Sequence, residues 1–257
     1  MIDLFLIKAE TFLLVLVRIL SFLAVAPFFG HRGFPMLMRT ALALVLSFLV
    51  FPNVAAPSAT SQSALDYAIL VGKEVAVGLI LGFISQFIFW GVRFGGQILS
   101  FLMGFSLVTT IAPDTREQIS IIGTFQWLFA ITVFLLLDGH FLLIEALVKS
   151  FQIVPLVEAK FSSRLVAHTA KLSAGVFVIA VQMSAPVLVT IFMTNISLAM
   201  LARMMPQMNV FIVGFPLTIS IGFITMIIVT PVFIVLVQHL LGDLRESIAI
   251  ILRLLGE

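Results

Sequence analysis

Residues 198–217 read LAMLARMMPQMNVFIVGFPL, inside a tract from Leu172 to Gln238 whose one formal charge is Arg203. About thirty uncharged residues precede Arg203 and about thirty-five follow it. Each arm exceeds the roughly 20 residues that cross a bilayer as a helix. Pro206 falls at the break, where it can neither continue a helix nor leave its predecessor helical. Two long apolar helices joined by a tight corner, Arg203 to Asn209, are therefore predicted. Any helical hairpin needs polar and proline residues at its tip. That need does not account for Gly214 and Pro216, which come early in the second arm.

Composition extends this reading to the whole chain. Of 257 residues, 61% are hydrophobic and 10% charged, against about 25% charged in soluble domains. An integral membrane protein of several spans follows, without a separate soluble domain. The net charge is only +2 and the basic residues are scattered, so nothing marks a nucleic-acid surface. Cysteine is absent, which excludes disulfides, thiolate metal sites and a cysteine nucleophile. The N-terminus superficially resembles a secretory signal, with Ala24-Val25-Ala26 as its cleavage site. Asp3 and Glu10 offset Lys8, however, and Pro27 would follow the cut, so a retained first helix is expected.

The remaining helices follow from apolar runs and breakers. Helix one is expected over Thr11–Phe28 with Arg18 near its middle. A central arginine costs about 2.5–3.5 kcal/mol on insertion scales, so Arg18 either snorkels or packs against protein, or it faces a conduit. Helix two is expected over Met36–Phe51. Helix three begins near Leu65 and carries Glu74, Gly78 and Gly82 on one face by their spacing of four. Small residues at that spacing admit another helix closely, which makes Gly78 and Gly82 packing glycines. Glu74 would be an ionisable group in or near the apolar layer.

Phe94–Pro113 is apolar but rich in glycine, serine and threonine, residues that weaken a helix. Irregular backbone at membrane depth is tolerated only inside protein or a watery cavity. Met103–Ile122 is accordingly expected to include a loop entering a cavity. Phe101, Met103, Gly104, Phe105, Ser106, Leu107 and Pro113 are the candidates for a plug or constriction. Apolar constrictions gate by excluding water.

Helix four is expected over Ile119–Leu137, closed by Asp138-Gly139-His140, with an amphipathic segment at Phe141–Phe151. Asp138, His140 and Glu145 match no recognised metal-ligand spacing. Val157–Lys171 holds most of the polar loop. Pro186, Pro216 and Pro231 lie inside the two long helices, where prolines kink a span. Leu241, Leu244, Ile248, Ile251 and Leu255 step by three and four, so residues 238–257 form an amphipathic helix for a membrane surface or, given the mixed charge, a partner. The positive-inside rule gives a small majority for cytoplasmic termini. In sum, the fold class is an all-α integral membrane protein of about six long apolar helices in kinked hairpins, with a re-entrant or plug-like loop and the amphipathic C-terminal helix, as one membrane-embedded domain over 1–257.

Arg203-Met204-Met205-Pro206-Gln207-Met208-Asn209-Val210-Phe211, followed by Gly214-Phe215-Pro216-Leu217, resembles the signature of the FliR family of type III export-gate proteins. Lys73-Glu74 with Gly78 and Gly82, Gly104-Phe105-Ser106-Leu107, Gly139-His140 and Ser150-Phe151 with Pro155 match in the same order. The resemblance implies a structural conduit subunit at the flagellar basal body, in the bacterial inner membrane. It implies partnership with FliP-like and FliQ-like subunits around a pore for unfolded flagellar proteins, and contact with an FlhB-like switch protein. It also implies that the loop after Gly104 plugs the closed pore. The equivalent subunit of a virulence injectisome, of the SctT type, is the nearest alternative, and a stand-alone small permease is the other.

No hydrolase, nucleophile-elbow or phosphate-loop motif occurs in the apolar tracts, and no cofactor, metal site or enzymatic activity is expected. Coupled transport requires titratable groups in the membrane, and only Arg18 and Glu74 qualify. Deleting residues 107–118 is expected to make the assembled complex leak ions or small solutes. Unchanged permeability in a membrane flux assay would count against a plug.

Overall fold

The computed structural model describes residues 2–31, 33–57, 64–105, 120–207 and 209–256. Among these it is all α-helical: α1 (Ile2–Val25), α2 (Met36–Val50) with a 3-10 turn at Phe51–Asn53, α3 (Ala64–Leu102), α4 (Ile121–Leu136), α5 (Gly139–Ile153), α6 (Ser163–Met204) and α7 (Val210–Gly256). By length and apolarity α2 with its 3-10 extension, α3, α6 and α7 can each cross a membrane. The pair α4 and α5, bent by 71°, makes a fifth span if counted as one. α1 is not among them and carries Lys8, Glu10 and Arg18. At 1.5 Å per residue, α3, α6 and α7 run about 58, 63 and 70 Å, twice the roughly 30 Å hydrocarbon core.

Several boundaries differ from those expected. α3 does not loosen after Phe94 but continues to Leu102. Its glycines are used for close approach: a Cβ at Gly91 would stand 2.7 Å from Ile179 Cβ, one at Gly95 2.8 Å from the Ala180 carbonyl, and one at Gly96 2.5 Å from Gly123 Cα. Packing against α6 and α4 outweighs the poor helix propensity of glycine. α6 starts at Ser163, inside the expected polar loop, because Ser162 caps it: its Oγ accepts from Leu165 N–H at 3.3 Å. α6 and α7 each continue as one helix through their internal prolines. The C-terminal segment is likewise no separate helix; it is the last part of α7.

The contacts divide the chain into two compact units. The first takes residues up to Phe87, Leu135–Ser173 and those from Leu241 on; the second takes Ile88–Phe134 and Ala174–Leu240. In the first unit, Leu14, Phe22 and Leu23 of α1, Val77 and Leu81 of α3, and Leu143 and Leu147 of α5 are buried. The apolar seam Leu241, Leu244, Ile248, Ile251 and Leu255 is buried there too. This corrects the expectation that it faces lipid or a partner: a repeat of three and four shows that a face is covered, not what covers it. The second unit centres on Leu99, Met103, Ile122, Val187, Ile191 and Met226.

α1 and α3 meet through the glycine face of α3. A Cβ at Gly78 would collide with Ser21 Oγ and the Arg18 carbonyl oxygen, and one at Gly82 would stand 2.9 Å from the Phe22 carbonyl oxygen. Gly78→Ala should therefore force the helices apart and destabilise by about 1–3 kcal/mol. Gly72→Ala, with nothing within 4 Å of the new methyl, should gain up to about 1 kcal/mol of helix propensity. Thermal unfolding of both variants in detergent checks this contrast in sign.

Candidate functional site

In the first unit the two charges expected in the apolar layer, 56 residues apart in sequence, meet. Arg18 and Glu74 are both fully buried, and Arg18 Nε donates to Glu74 Oε2 at 2.5 Å. Arg18 Nη1 donates to the Ser150 carbonyl at 3.2 Å and the Val154 carbonyl at 2.9 Å. Its guanidinium carbon lies 4.5 Å from the centroid of the Phe151 ring, a cation–π contact that partly offsets desolvation. Nη2 is buried without a hydrogen-bond partner among the described residues. The Val154 carbonyl is available because α5 ends just before it, whereas the Ser150 carbonyl already accepts from the Val154 N–H at 2.9 Å and takes Arg18 as a second donor.

Glu74 is held from a second side. Its Oε1 accepts from the Val157 N–H at 2.8 Å, while Lys73 Nζ donates to the Val157 carbonyl at 3.2 Å. Val157 has φ +70°, a strained backbone for a β-branched residue. Val154, Leu156, Val157 and Ala159 are buried, and Lys160 N–H donates to the Leu255 carbonyl at 2.9 Å. Residues 154–160 thus form a strap pinned by α1, α3 and the end of α7. The spacing that flagged Glu74 gave no sign of Val157, whose role depends on backbone geometry. The neighbouring Pro155 and the short polar run were its only sequence signal.

In the second unit the start of the expected plug meets the α6–α7 hairpin. Met103 is fully buried in the core, and Phe101 is 70% exposed. Gly104 has φ +90°, and a Cβ there would lie 2.5 Å from the Phe215 ring; both facts require glycine. Phe105 packs on the core cluster and edge-on to Phe223, with centroids 6.2 Å apart. Met103, Gly104, Leu198, Gly214 and Phe215 share a cleft of about 340 Å³. The second half of the signature therefore lies beside the start of the loop. Ser106, Leu107 and Pro113 lie outside the described residues.

The corner lies where it was expected. α6 ends at Met204, and Asn209 O accepts from Ile212 N–H at 3.1 Å as α7 begins. Arg203, Pro206, Gln207 and Asn209 are exposed; Phe211 falls in the first turn of α7 and Pro216 near its start.

A buried charge left alone is far costlier than a buried pair. Arg18→Met or Glu74→Gln alone should destabilise the chain by about 3–5 kcal/mol, and Arg18→Met with Glu74→Leu should recover most of the loss. Accumulation in membranes and thermal unfolding in detergent, taken as a double-mutant cycle, check this. Additive losses would argue against a coupled pair.

The sequence model of the family described as Bacterial export proteins, family 1, matches residues 9–244. The Flagellar biosynthetic protein FliR of Bacillus subtilis is 36% identical over 258 residues, covering 99% of this chain and 98% of that protein. The proteins of the same name from Escherichia coli and Aquifex aeolicus are each 27% identical, covering 91% and 92% of this chain and 89% and 93% of their own. With a charge-poor all-helical fold and a signature corner between its two longest helices, the chain belongs to the FliR family of bacterial flagellar export proteins.

Proposed function

We propose that this chain is a core structural subunit of the flagellar type III protein export gate. It would assemble with FliP-like and FliQ-like subunits in the bacterial inner membrane, at the flagellar basal body. Together they would form the pore for unfolded flagellar proteins, with an FlhB-like switch protein as a further contact. The observation that carries this reading is similarity to a flagellar biosynthetic protein along nearly the whole chain. The surface of the hairpin supports it. Large apolar side chains on α6 and α7, among them Phe192, Met200, Ile212 and Ile227, are more than half exposed. The signature corner between these helices is exposed as well. A polypeptide this apolar finds cover only in lipid or in other chains.

The role is positional and involves no bond chemistry. Arg18 and Glu74, the titratable pair in the apolar layer, are committed to each other and to backbone groups. Energy for export would come from other components of the apparatus.

Tagged protein from the native host should purify in detergent as a mixed complex containing the two partner subunits, and a strain lacking the gene should be non-motile. A monodisperse monomer or homodimer stabilised by a small solute would favour the permease. Intact motility in the deletion strain would overturn the flagellar assignment.

A further inference from the structure

Polar side chains on the helices of the second unit mostly satisfy themselves. The hydroxyls of Ser184, Thr190, Thr194, Thr225 and Thr230 each donate to the carbonyl four residues earlier, at 2.8–2.9 Å. Gln126 of α4 differs. It is 2% exposed, and both its Oε1 and its Nε2 are buried without a hydrogen-bond partner among the described residues. An amide in apolar surroundings requires a donor and an acceptor together.

Gln126 lines a cleft of about 320 Å³ between α4, α6 and α7. Ile122 and Met226 are buried in its floor, whereas Phe125 and Ile227 on its rim are 56% and 72% exposed. Away from the cleft Gln126 is backed by α3, where even a methyl group on Gly96 would stand 2.8 Å from Oε1. Thr230, the other polar residue of the lining, already donates to the Met226 carbonyl.

We propose that this cleft receives an apolar helix of a neighbouring subunit, and that Gln126 pairs with an amide or hydroxyl side chain which that helix inserts. The proposal rests on the reading of the chain as a subunit of a multi-chain gate. A lipid acyl chain would fill the cleft but offers neither donor nor acceptor. Water is scarce at hydrocarbon depth, and apart from the satisfied Thr230 the rest of the lining is apolar. At about 30 Å³ for the share of one water, the cleft has room for a few inserted side chains. Hydrogen bonds between helices are a recognised association force in membranes.

The inference has opposite consequences for the free chain and for the complex. Gln126→Leu removes the unsatisfied amide, so the chain alone should accumulate in membranes at least as well as the wild type. In the complex the same change would strand the partner's polar group, and recovery of that subunit with the tagged chain should fall about tenfold. A photo-crosslinking residue at Phe125 or Ile227 should join a co-purifying subunit. Mass spectrometry should place the adduct in an apolar span containing Asn, Gln, Ser or Thr, and Gln126→Leu should reduce its yield.

Full recovery of the complex with Gln126→Leu would overturn the proposal. So would crosslinks to lipid alone in an intact complex, or a fall in accumulation of the isolated variant. If the wild-type chain yields no multi-chain complex at all, the subunit reading itself fails, and that outcome is distinct from an intact complex with an empty cleft.

Discussion

Arg18 cannot reach water from where it lies, and that constraint organises the first unit. Its charge is balanced by Glu74, its Nη1 is met by the carbonyls of Ser150 and Val154, and its flat face lies near Phe151. The first helix, the third helix and the end of the fifth must all be in place for this to hold. In turn, Glu74 fixes the strained Val157. Buried ion pairs add little net stability against apolar replacements of similar shape, but a misplaced partner is severely penalised. That penalty disfavours arrangements of these helices in which the two charges do not meet. The glycine face of α3 supports the same geometry: Gly78 lets α3 lie directly against the backbone that carries Arg18.

The second unit is held by different means. Among the described residues no ion pair enters its cluster of Leu99, Met103, Ile122, Val187, Ile191 and Met226. Close approach through Gly91, Gly95 and Gly96 and the packing of that apolar cluster hold it instead. Packing of this kind leaves much apolar surface outward, as expected of helices apolar enough to cross a membrane. The three long helices also exceed the hydrocarbon thickness about twofold, so their lengths match no simple set of upright spans.

Much of the candidate site was legible before any coordinates. Absence of charge marked the long helices, and Pro206 and Arg203 marked the corner between them. Arg18 and Glu74 stood out because charge in an apolar tract is expensive. Gly78 and Gly82 stood out because their spacing places them on one face. The amphipathic repeat near the C-terminus was equally plain as a pattern. Its buried partner was not, because periodicity registers only that one side of a helix avoids water. The glycines after Phe94 misled in the opposite direction: as single residues they weaken a helix, yet α4 and α6 need the space they leave.

Sequence alone thus determined the membrane class, the positions of the principal apolar helices and the residues too polar for their surroundings. These are properties of local composition and spacing, carried by the free-energy cost of placing polar groups in hydrocarbon. Tertiary structure decided what each unusual residue meets: Arg18 with Glu74, Glu74 with Val157, Gly104 with Phe215, and Gln126 with no partner among the described residues. Those pairings join residues far apart along the chain or turn on a single backbone angle. Hydrogen-bond geometry and steric contact are fixed only when the helices pack, so the order of residues does not record them.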